Sequence, residues 1–384
     1  MPIYLDYNAT TPIAPAVREA MLPYLETDFG NPSSSHRLGR TAQAAVQLAR
    51  GQVADLLGAS PDEIVFTSGG TEANNLAIKG LVLRVLEGTV LTGKPRSGHL
   101  VISTLEHPAV VEPARWVSRL GWQLSVVACD RRGVVDPAAV EQALRPDTLL
   151  VSIMHANNEI GTIQPIARIA DVCRRRGVLL HIDAAQSAGK VPVRVDELGV
   201  DLLSIAGHKV YAPKGVGALY VRRGVALEPL LHGAGHESGR RGGTENVPYI
   251  VGLGRAAGLA AQELPQAGPR MSGLRDRLAR RLSEGIGPLV TINGEDAPRL
   301  PNTLSINFPG VAGSELLAGI DDLCASTGAA CHAGETRLSA TQQAIGLSPE
   351  AARGTVRLSV GWYTRQDEVD RAADLLIAAW AARK

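Results

Sequence analysis

Cysteine is scarce in this chain of 384 residues. Its four cysteines, at positions 129, 173, 324 and 331, form no CxxC pair and have no Cys/His spacing typical of zinc. This pattern excludes a disulfide-stabilised scaffold and a zinc ribbon, and we expect no metal site. It predicts a cytoplasmic protein with reduced thiols, in which a functionally important cysteine would act as a nucleophile.

A surplus of charge of one sign is also absent. Lys+Arg number 39 against 38 Asp+Glu, which gives a net charge of +1 and a pI near 7.8. A nucleic-acid partner usually requires a basic surplus, so we predict none. No segment reaches the roughly 18 uninterrupted apolar residues of a membrane span. The start, MPIYLDYNATTPIAP, lacks the basic and apolar regions of a signal peptide, so we expect no membrane association.

Short apolar runs do alternate with amphipathic stretches over the first two thirds of the chain. The runs predict strands at 64–67, 100–103, 124–127, 149–154, 178–182, 202–205 and 217–221. The stretches between them predict helices at 36–57, 71–87, 108–120, 137–144 and 165–176, and residues 88–98 are predicted to form a surface loop. This alternation predicts an α/β protein with a mostly parallel sheet covered on both faces.

The remainder of the chain predicts a second, smaller α+β unit. Alanine-rich, helix-like residues 246–285 lead into residues 290–384. This region has strand-like runs at 304–308 and 355–360 and an amphipathic helix at 366–382. A chain of this length is also long enough for two domains.

Chemically versatile side chains follow two neighbouring predicted strands. Asp183 and Gln186 follow one, and His208 and Lys209 follow the next. Open α/β sheets bind ligands at the carboxyl ends of their strands. A lysine held there is poorly solvated, which lowers its pKa and favours Schiff-base chemistry, and a nearby Asp suits the pyridine nitrogen of pyridoxal phosphate. An edge lysine or a capping Asp explains either residue alone, but the pair favours the cofactor.

Three more predicted strands end in polar residues. In FTSGGTEA, Gly70 and Thr71 begin a helix, which suits a phosphate site and equally a capped helix start. His107 is suited to stack on an aromatic cofactor, although a lone histidine is more often structural. Asn158 is suited to donate a neutral hydrogen bond to a ring oxygen or a carboxylate, with an Asx turn as the alternative.

Three candidates lie in the C-terminal half. Thr244 follows two glycines in a segment that suits phosphate, a flexible loop or a subunit contact. Cys331 lies in the small, polar sequence STGAACHAGE beside His332, a setting that favours an accessible nucleophilic thiolate. Arg357 alternates with apolar residues on a predicted strand, which suits either a substrate carboxylate or a structural ion pair.

Taken in order, these motifs resemble the NifS/IscS-type cysteine desulfurases and the related selenocysteine lyases, which are class V, fold-type I pyridoxal phosphate enzymes. The resemblance spans essentially the whole chain, through YLDYNATTP, FGNPSSSH, FTSGGTEANN, SIMHANNEIG, HIDAAQSAGK, GHKVYAPKG, RRGGTEN, RLPNT and VRLSVG. It implies a homodimer and a seven-stranded, mostly parallel sheet in a large domain at 16–260. Residues 1–15 and 261–384 would form a small α+β domain that carries the catalytic cysteine.

The resemblance also assigns roles to individual residues. The resemblance implies that Lys209 is the covalent attachment point of pyridoxal phosphate, that Asp183 contacts the pyridine nitrogen and Gln186 the ring hydroxyl, and that His107 stacks on the ring. Asn158 is also an implied cofactor contact. The implied phosphate contacts are Gly70, Thr71 and His208, together with Thr244 from the other subunit. Those implied to position the amino-acid substrate are Asn31, Asn158 and Arg357. Lys209, His107 and Cys331 are the implied catalytic residues, and Cys331 would leave as a persulfide destined for an acceptor such as an iron–sulfur scaffold.

Three positions depart from related patterns. Ala206 stands where the family often has a phosphate-binding Ser or Thr, and Trp362 stands where IscS-type chains commonly have Arg. Pro108 follows His107, whereas selenocysteine lyases have an acidic residue there. We therefore predict L-cysteine as the substrate, with L-selenocysteine as the first alternative. A different pyridoxal phosphate enzyme, such as an aminotransferase, and a non-catalytic sulfur carrier are the others.

Overall fold

A computed structural model of the chain describes residues 2–92, 97–327 and 338–383. The strands are β1 (Ile3–Tyr4), β2 (Ile64–Thr67), β3 (His99–Ser103), β4 (Gln123–Val127), β5 (Thr148–Ser152), β6 (Leu179–Asp183), β7 (Leu202–Ala206), β8 (Gly217–Val221), β9 (Thr291–Ile292), β10 (Thr303–Asn307), β11 (Leu323–Cys324) and β12 (Thr355–Ser359). The helices are α1 (Pro15–Glu26), α2 (Arg37–Leu57), α3 (Gly70–Thr92), α4 (Pro108–Ser118), α5 (Pro137–Ala143), α6 (Ile166–Arg176), α7 (Val195–Leu198), α8 (Val247–Ile286), α9 (Gly313–Ala318), α10 (Ala340–Ala344), α11 (Pro349–Arg353) and α12 (Gln366–Ala381).

Seven strands form the central sheet, in the order β2-β8-β7-β6-β5-β3-β4. β8 is antiparallel to β2 and β7, and the other neighbouring pairs are parallel. β12, β10 and β9 form a smaller antiparallel sheet, and β1 pairs with β11. The predicted α/β fold, with a mostly parallel seven-stranded sheet and a smaller α+β part, is thereby confirmed.

The central sheet is covered on both faces, as predicted. Along β3, Val101 packs into one core, while Leu100 and Ile102 pack into the core beneath α3 and α4. Adjacent residues of a strand point to opposite faces, and the same division separates Leu202 from Leu203 on β7. Strands buried on both faces explain the continuous apolar runs in the sequence.

The structure corrects one sequence expectation and adds one helix that the sequence did not predict. Residues 88–92 of the predicted loop at 88–98 are helical, because α3 continues to Thr92. A single glycine costs a helix only about 1 kcal/mol, so Gly88 does not end it. Helix α1 was not predicted, because Pro23 lies within it and only Val17 and Met21 of its residues are buried. Residues 93–96 lie outside the described ranges.

Helix α8 contributes to two separate cores. Its first half packs residues such as Leu253 and Ala260 into the core of the large sheet. Its second half packs residues such as Met271 and Leu278 against the small sheet and α12. The division into domains at residue 260 stays a prediction. Although α8 is 40 residues long, neither it nor another helix of the described ranges is long and apolar enough to cross a membrane.

Candidate functional site

One cavity of about 310 Å³ lies at the carboxyl edge of the parallel strands. Such a volume falls at the lower end of the roughly 300–1,000 Å³ of small-molecule sites. The predicted site residues that line it are Gly70, Thr71, His107, Asn158, Asp183, Gln186, His208, Lys209 and Arg357. They converge because β3, β5, β6 and β7 are parallel, so their carboxyl ends meet at one edge of the sheet.

The Asp183 carboxylate is buried at the last residue of β6, and both of its oxygens accept hydrogen bonds. Oδ2 accepts from Asn74 Nδ2 at 2.8 Å, and Oδ1 accepts from the backbone N–H of Ala185 at 2.9 Å. These two donors fix the orientation of the carboxylate. A fixed, buried anion is suited to hold a proton on a basic ring nitrogen beside it.

Lys209 ends a 3₁₀ turn, Gly207–Lys209, that directly follows β7. The side chain is half-buried. Burial lowers the pKa of its amine, the charge of Asp183 opposes that change, and Arg357 lowers the pKa further. The net direction is downward, so a larger fraction of the amine is unprotonated and able to form a bond to a carbonyl carbon.

The amino end of α3 lies on another side of the cavity. Gly70 and Thr71 are its first residues, and the first N–H groups of a helix have no partner within the helix. Gly70 packs closely against β7, since a Cβ added to it would lie 3.1 Å from the Cβ of Ala206. The helix dipole and the free N–H groups make this end suited to an anion such as phosphate.

His208 lies beside this end of the cavity. Its Nδ1 is 3.2 Å from the Thr10 hydroxyl. Burial lowers the pKa of the imidazole to about 4, with further contributions from Lys209, Lys214 and Lys190. His208 is therefore neutral near pH 7 and is able to donate a hydrogen bond to an anion without carrying charge.

His107 caps α4, and its Nδ1 accepts a hydrogen bond from the Ala109 backbone N–H at 3.1 Å. In the neutral ring the proton therefore lies on Nε2. Burial lowers the pKa of His107, Lys209 lowers it further, and Asp183 raises it in part. The preceding residue, Glu106, is fully buried, and burial raises the pKa of its carboxyl to about 8.

Arg357 reaches the cavity while bonded to its own protein. Nη2 donates to Asp6 Oδ1 at 2.8 Å, and Nη1 donates to the backbone carbonyl of Asn158 at 2.9 Å. Within the described ranges its buried Nε has no hydrogen-bond partner. The ion pair that the sequence left as an alternative is therefore present, and within the described ranges the Nε–H of the guanidinium is not used by it.

Two predicted residues do not line this cavity within one chain. Asn31 is exposed in a turn, where its Oδ1 accepts from the Ser33 backbone N–H. Thr244 lines a second cavity of about 200 Å³ beside Ser68. Its segment is anchored to the first turn of α3, since Arg241 pairs with Glu72 at 2.9 Å. Cys331 lies outside the described residues.

Three residues that support the site, Asn8, Asn74 and Lys190, were not predicted from the sequence. Each lies inside a motif quoted for the resemblance, YLDYNATTP, FTSGGTEANN or HIDAAQSAGK, so the motifs themselves were the available signal. Asn74 holds Asp183, while Asn8 and Lys190 both contact Gln186. No group of three or more His, Cys, Asp or Glu residues capable of holding a metal ion occurs in the part of the chain that the structure describes.

The sequence of this chain is similar to one protein family and to named relatives over nearly its whole length. The class-V aminotransferase family profile matches residues 3–372. A cysteine desulfurase IscS of Dictyoglomus turgidum is 44% identical over 376 residues, which cover 97% of this chain and 93% of the relative. A cysteine desulfurase IscS of Pectobacterium carotovorum is 45% identical over 383 residues, which cover 98% and 92%.

Solved structures agree with these sequence similarities. The structure of a NifS-like protein superposes with a TM-score of 0.91 at 36% identity, covering 100% of both chains. The structure of SspA in complex with cysteine superposes with a TM-score of 0.82 at 38% identity, covering 94% of this chain and 99% of that one. Sequence and fold are therefore similar to these proteins over nearly the whole chain.

Proposed function

The chain belongs to the class-V aminotransferase family, as its motifs predicted, and from this premise we propose that it is a cysteine desulfurase that uses pyridoxal phosphate. The observation that best supports the activity is its identity of 44% and 45% to cysteine desulfurases across 97% and 98% of its length. The cofactor follows from the family and from the chemistry of the cavity.

The residues present fit this cofactor. Asp183 offers a carboxylate with a fixed orientation, and Lys209 offers an amine whose pKa is lowered. The amino end of α3 offers N–H groups to a phosphate, and Gly70 places no side chain between them and the cavity. When bound, pyridoxal phosphate supplies an electron-withdrawing ring that stabilises negative charge at the substrate α-carbon.

In this proposal the chain's own residues bind the cofactor and the substrate and transfer protons. Asp183 keeps a proton on the ring nitrogen, which preserves the electron-withdrawing character of the ring. Lys209 removes the proton from the substrate α-carbon and returns one as alanine forms. His107, whose pKa is lowered, is neutral near pH 7 and would stack on the ring. Gly70, Thr71 and His208, which line the cavity, would hold the phosphate.

Arg357 and Asn158 bind the substrate from the side of the small sheet. We propose that the carboxylate of the substrate bonds to the Arg357 guanidinium, whose Nε is unpaired within the described ranges. Asp6 already pairs with Nη2, so the substrate carboxylate shares or displaces that contact. The Asn158 amide and Asn31, which does not line the cavity in a single chain, complete the proposed substrate contacts.

The sulfur is proposed to pass to Cys331. The Cβ–S bond of L-cysteine breaks, an S–S bond forms on the Cys331 sulfur, and the products are alanine and a persulfide. The thiol proton lost by Cys331 is balanced by the hydrogen gained by the alanine methyl group. Because the thiolate is the reactive form, proton removal from Cys331 precedes attack.

The proposed assembly is a homodimer in the cytoplasm that passes sulfur to an acceptor protein such as an iron–sulfur scaffold. In a dimer, Thr244 would reach the phosphate of the other subunit's site. What supports this is that Thr244 lies outside the first cavity of its own chain, on a segment anchored to the first turn of α3.

A paired substrate assay tests the proposed function. Alanine release is measured from L-cysteine and from L-selenocysteine, with wild type, Cys331→Ala and a matched control, Cys129→Ala. We expect wild type and Cys129→Ala to release alanine from L-cysteine, and Cys331→Ala to lose this activity. Cleavage of the weaker C–Se bond should depend less on Cys331.

Three outcomes would contradict the proposal. Release from L-selenocysteine but not from L-cysteine would identify a selenocysteine lyase. Turnover with a keto-acid acceptor that is indifferent to Cys331→Ser would identify an aminotransferase. A colourless protein that binds no cofactor would favour a non-catalytic sulfur carrier.

A further inference from the structure

Lys190 is a buried lysine directly behind the candidate site. Its side chain is 6% exposed, and it forms no ion pair with a described residue. Its Nζ donates to Gln186 Oε1 at 2.9 Å, and Asn8 Oδ1 lies 3.5 Å away. A buried lysine without an acidic partner is energetically costly, so its retention calls for a role that the fold alone does not supply.

Both residues that Lys190 contacts, Gln186 and Asn8, line the cavity, and the hydrogen bond to Gln186 is the shorter of the two. The carboxamide of Gln186 is held at both ends. Oε1 accepts from Lys190, while Nε2 donates to the backbone carbonyl of Asn8 at 2.9 Å. Nε2 carries two hydrogens, and within the described ranges the second has no partner.

The two contacts fix which end of the amide is the donor. The Lys190 amine donates to Oε1, and the Asn8 backbone carbonyl can only accept. Exchanging Oε1 and Nε2 would remove the acceptor that faces Lys190 and would place acceptor against acceptor at Asn8. Without Lys190, the Asn8 carbonyl would be the single remaining constraint on an amide whose two ends have nearly the same shape.

We propose that Lys190 is a positioning residue, which orients the Gln186 carboxamide so that a hydrogen of Nε2 is available to the ring oxygen of the cofactor. This inference rests on the proposed function, because it takes Gln186 as a cofactor contact. Lys190 acts through Gln186 and does not line the cavity itself.

The Gln186 donor that Lys190 orients gives the effect of removing Lys190 a definite sign. Lys209, Arg357 and His208 are the ionisable groups whose electrostatic coupling to Lys190 the structure records. Burial lowers the pKa of Lys190 well below its usual value, and Lys209 and Arg357 add to that effect. A hydrogen-bond donor to the ring oxygen disfavours a proton on the nitrogen that joins Lys209 to the cofactor. Losing that donor raises the pH at which the proton dissociates.

The test follows the visible absorbance band of the cofactor-loaded protein as a function of pH. Lys190→Met keeps the length and the apolar stem but removes the donor. We expect its spectral midpoint to move upward by roughly half a unit to one unit. Gln186→Leu should move the midpoint in the same direction, and the double variant should move little beyond the larger single shift.

Asn302→Ala is the matched structural control. Asn302 Nδ2 donates to Asn8 Oδ1 at 2.9 Å, the same oxygen that Lys190 approaches, but it makes no contact with Gln186. This variant should lower the melting temperature and leave the midpoint unchanged. If Lys190→Met does not fold, Lys190→Leu, which also removes the donor, carries the same comparison.

Two results separate failure of this inference from failure of the proposed function. A wild-type protein without a visible band in excess pyridoxal phosphate would overturn the proposed cofactor site itself. A wild-type band whose midpoint is unchanged in Lys190→Met, or shifts additively with Gln186→Leu, would overturn the role of Lys190 alone.

Discussion

Asn74 Nδ2 donates a hydrogen bond to Asp183 Oδ2 at 2.8 Å, and both side chains are buried. This contact joins the first turns of α3, which would bind the phosphate, to the end of β6, which would bind the ring nitrogen. The two ends of the proposed cofactor are therefore held by elements that contact each other directly. The distance between phosphate and ring sites is set by the fold before the cofactor binds.

Replacing Asp183 with Asn tests the electrostatic role of that carboxylate. Asp183→Asn keeps the shape and the hydrogen bond from the Ala185 N–H but removes the negative charge. We expect alanine formation from L-cysteine to fall about 10²–10³-fold, the usual cost of losing a charge that stabilises a transition state. The matched control is Asp62→Asn, a surface carboxylate paired with Arg223, which should keep full activity. Equal activity in Asp183→Asn and wild type would exclude this role.

Replacing Ala206 with Ser tests the departure from the family pattern. Ala206 is 4% exposed, lines the cavity and lies beneath Gly70. A hydroxyl there would add one hydrogen bond to the phosphate, worth about 1 kcal/mol, so cofactor affinity should rise about fivefold. The measurement is a titration of cofactor-free protein with pyridoxal phosphate. The control is Ala185→Ser, the same change elsewhere in the cavity, which should not raise the affinity for the cofactor. An equal gain in cofactor affinity in both variants would argue against a phosphate contact at position 206.

The buried carboxyl of Glu106 predicts a specific dependence of stability on pH. Burial raises its pKa from 4.5 to about 8, so the folded protein retains a proton that the unfolded chain releases. The contribution of this group is therefore fully present below about pH 4.5 and is lost as pH rises toward 8. Oε1 accepts from Ser103 and from the Met154 N–H, while Oε2 has no partner in the described ranges.

Glu106→Gln removes this titration while keeping the shape and the Oε1 contacts. Relative to wild type, the free energy of unfolding of the variant should increase by roughly 1–3 kcal/mol between pH 5 and pH 8. Urea denaturation at both pH values, with the cofactor state held constant, measures the difference. The same difference at pH 5 and pH 8 would mean that Glu106 is ionised in the folded protein.

Much of the candidate site was predictable from the sequence because one rule governs it. His107, Asp183 and Lys209 lie at or just after the carboxyl ends of strands of the same sheet, and parallel strands bring these ends to one edge. Strands of this kind are recognisable as apolar runs bounded by polar residues. The central sheet was predictable for the same reason.

The supporting contacts were not predictable by that rule. Asn74 lies in a helix and Lys190 in a turn, and each meets the site only through tertiary packing. Asn8 lies 178 residues from Gln186, and its backbone carbonyl accepts a hydrogen bond from the Gln186 amide. No sequence periodicity links the two residues. In the proposed dimer, the positions of Asn31 and Thr244 relative to the cavity would depend on a second chain, which a single sequence does not orient.

The central claim is that L-cysteine is converted to alanine and that its sulfur is transferred to Cys331. A single-turnover experiment without a reductant or a sulfur acceptor tests this claim most directly. The amount of alanine formed is measured relative to the amount of protein, and the mass of the peptide that contains Cys331 is measured by mass spectrometry. The account predicts one alanine per active site and a gain of one sulfur atom on Cys331, with both absent in Cys331→Ala. Alanine formed without added sulfur on Cys331, or at the same rate in Cys331→Ala, would contradict it.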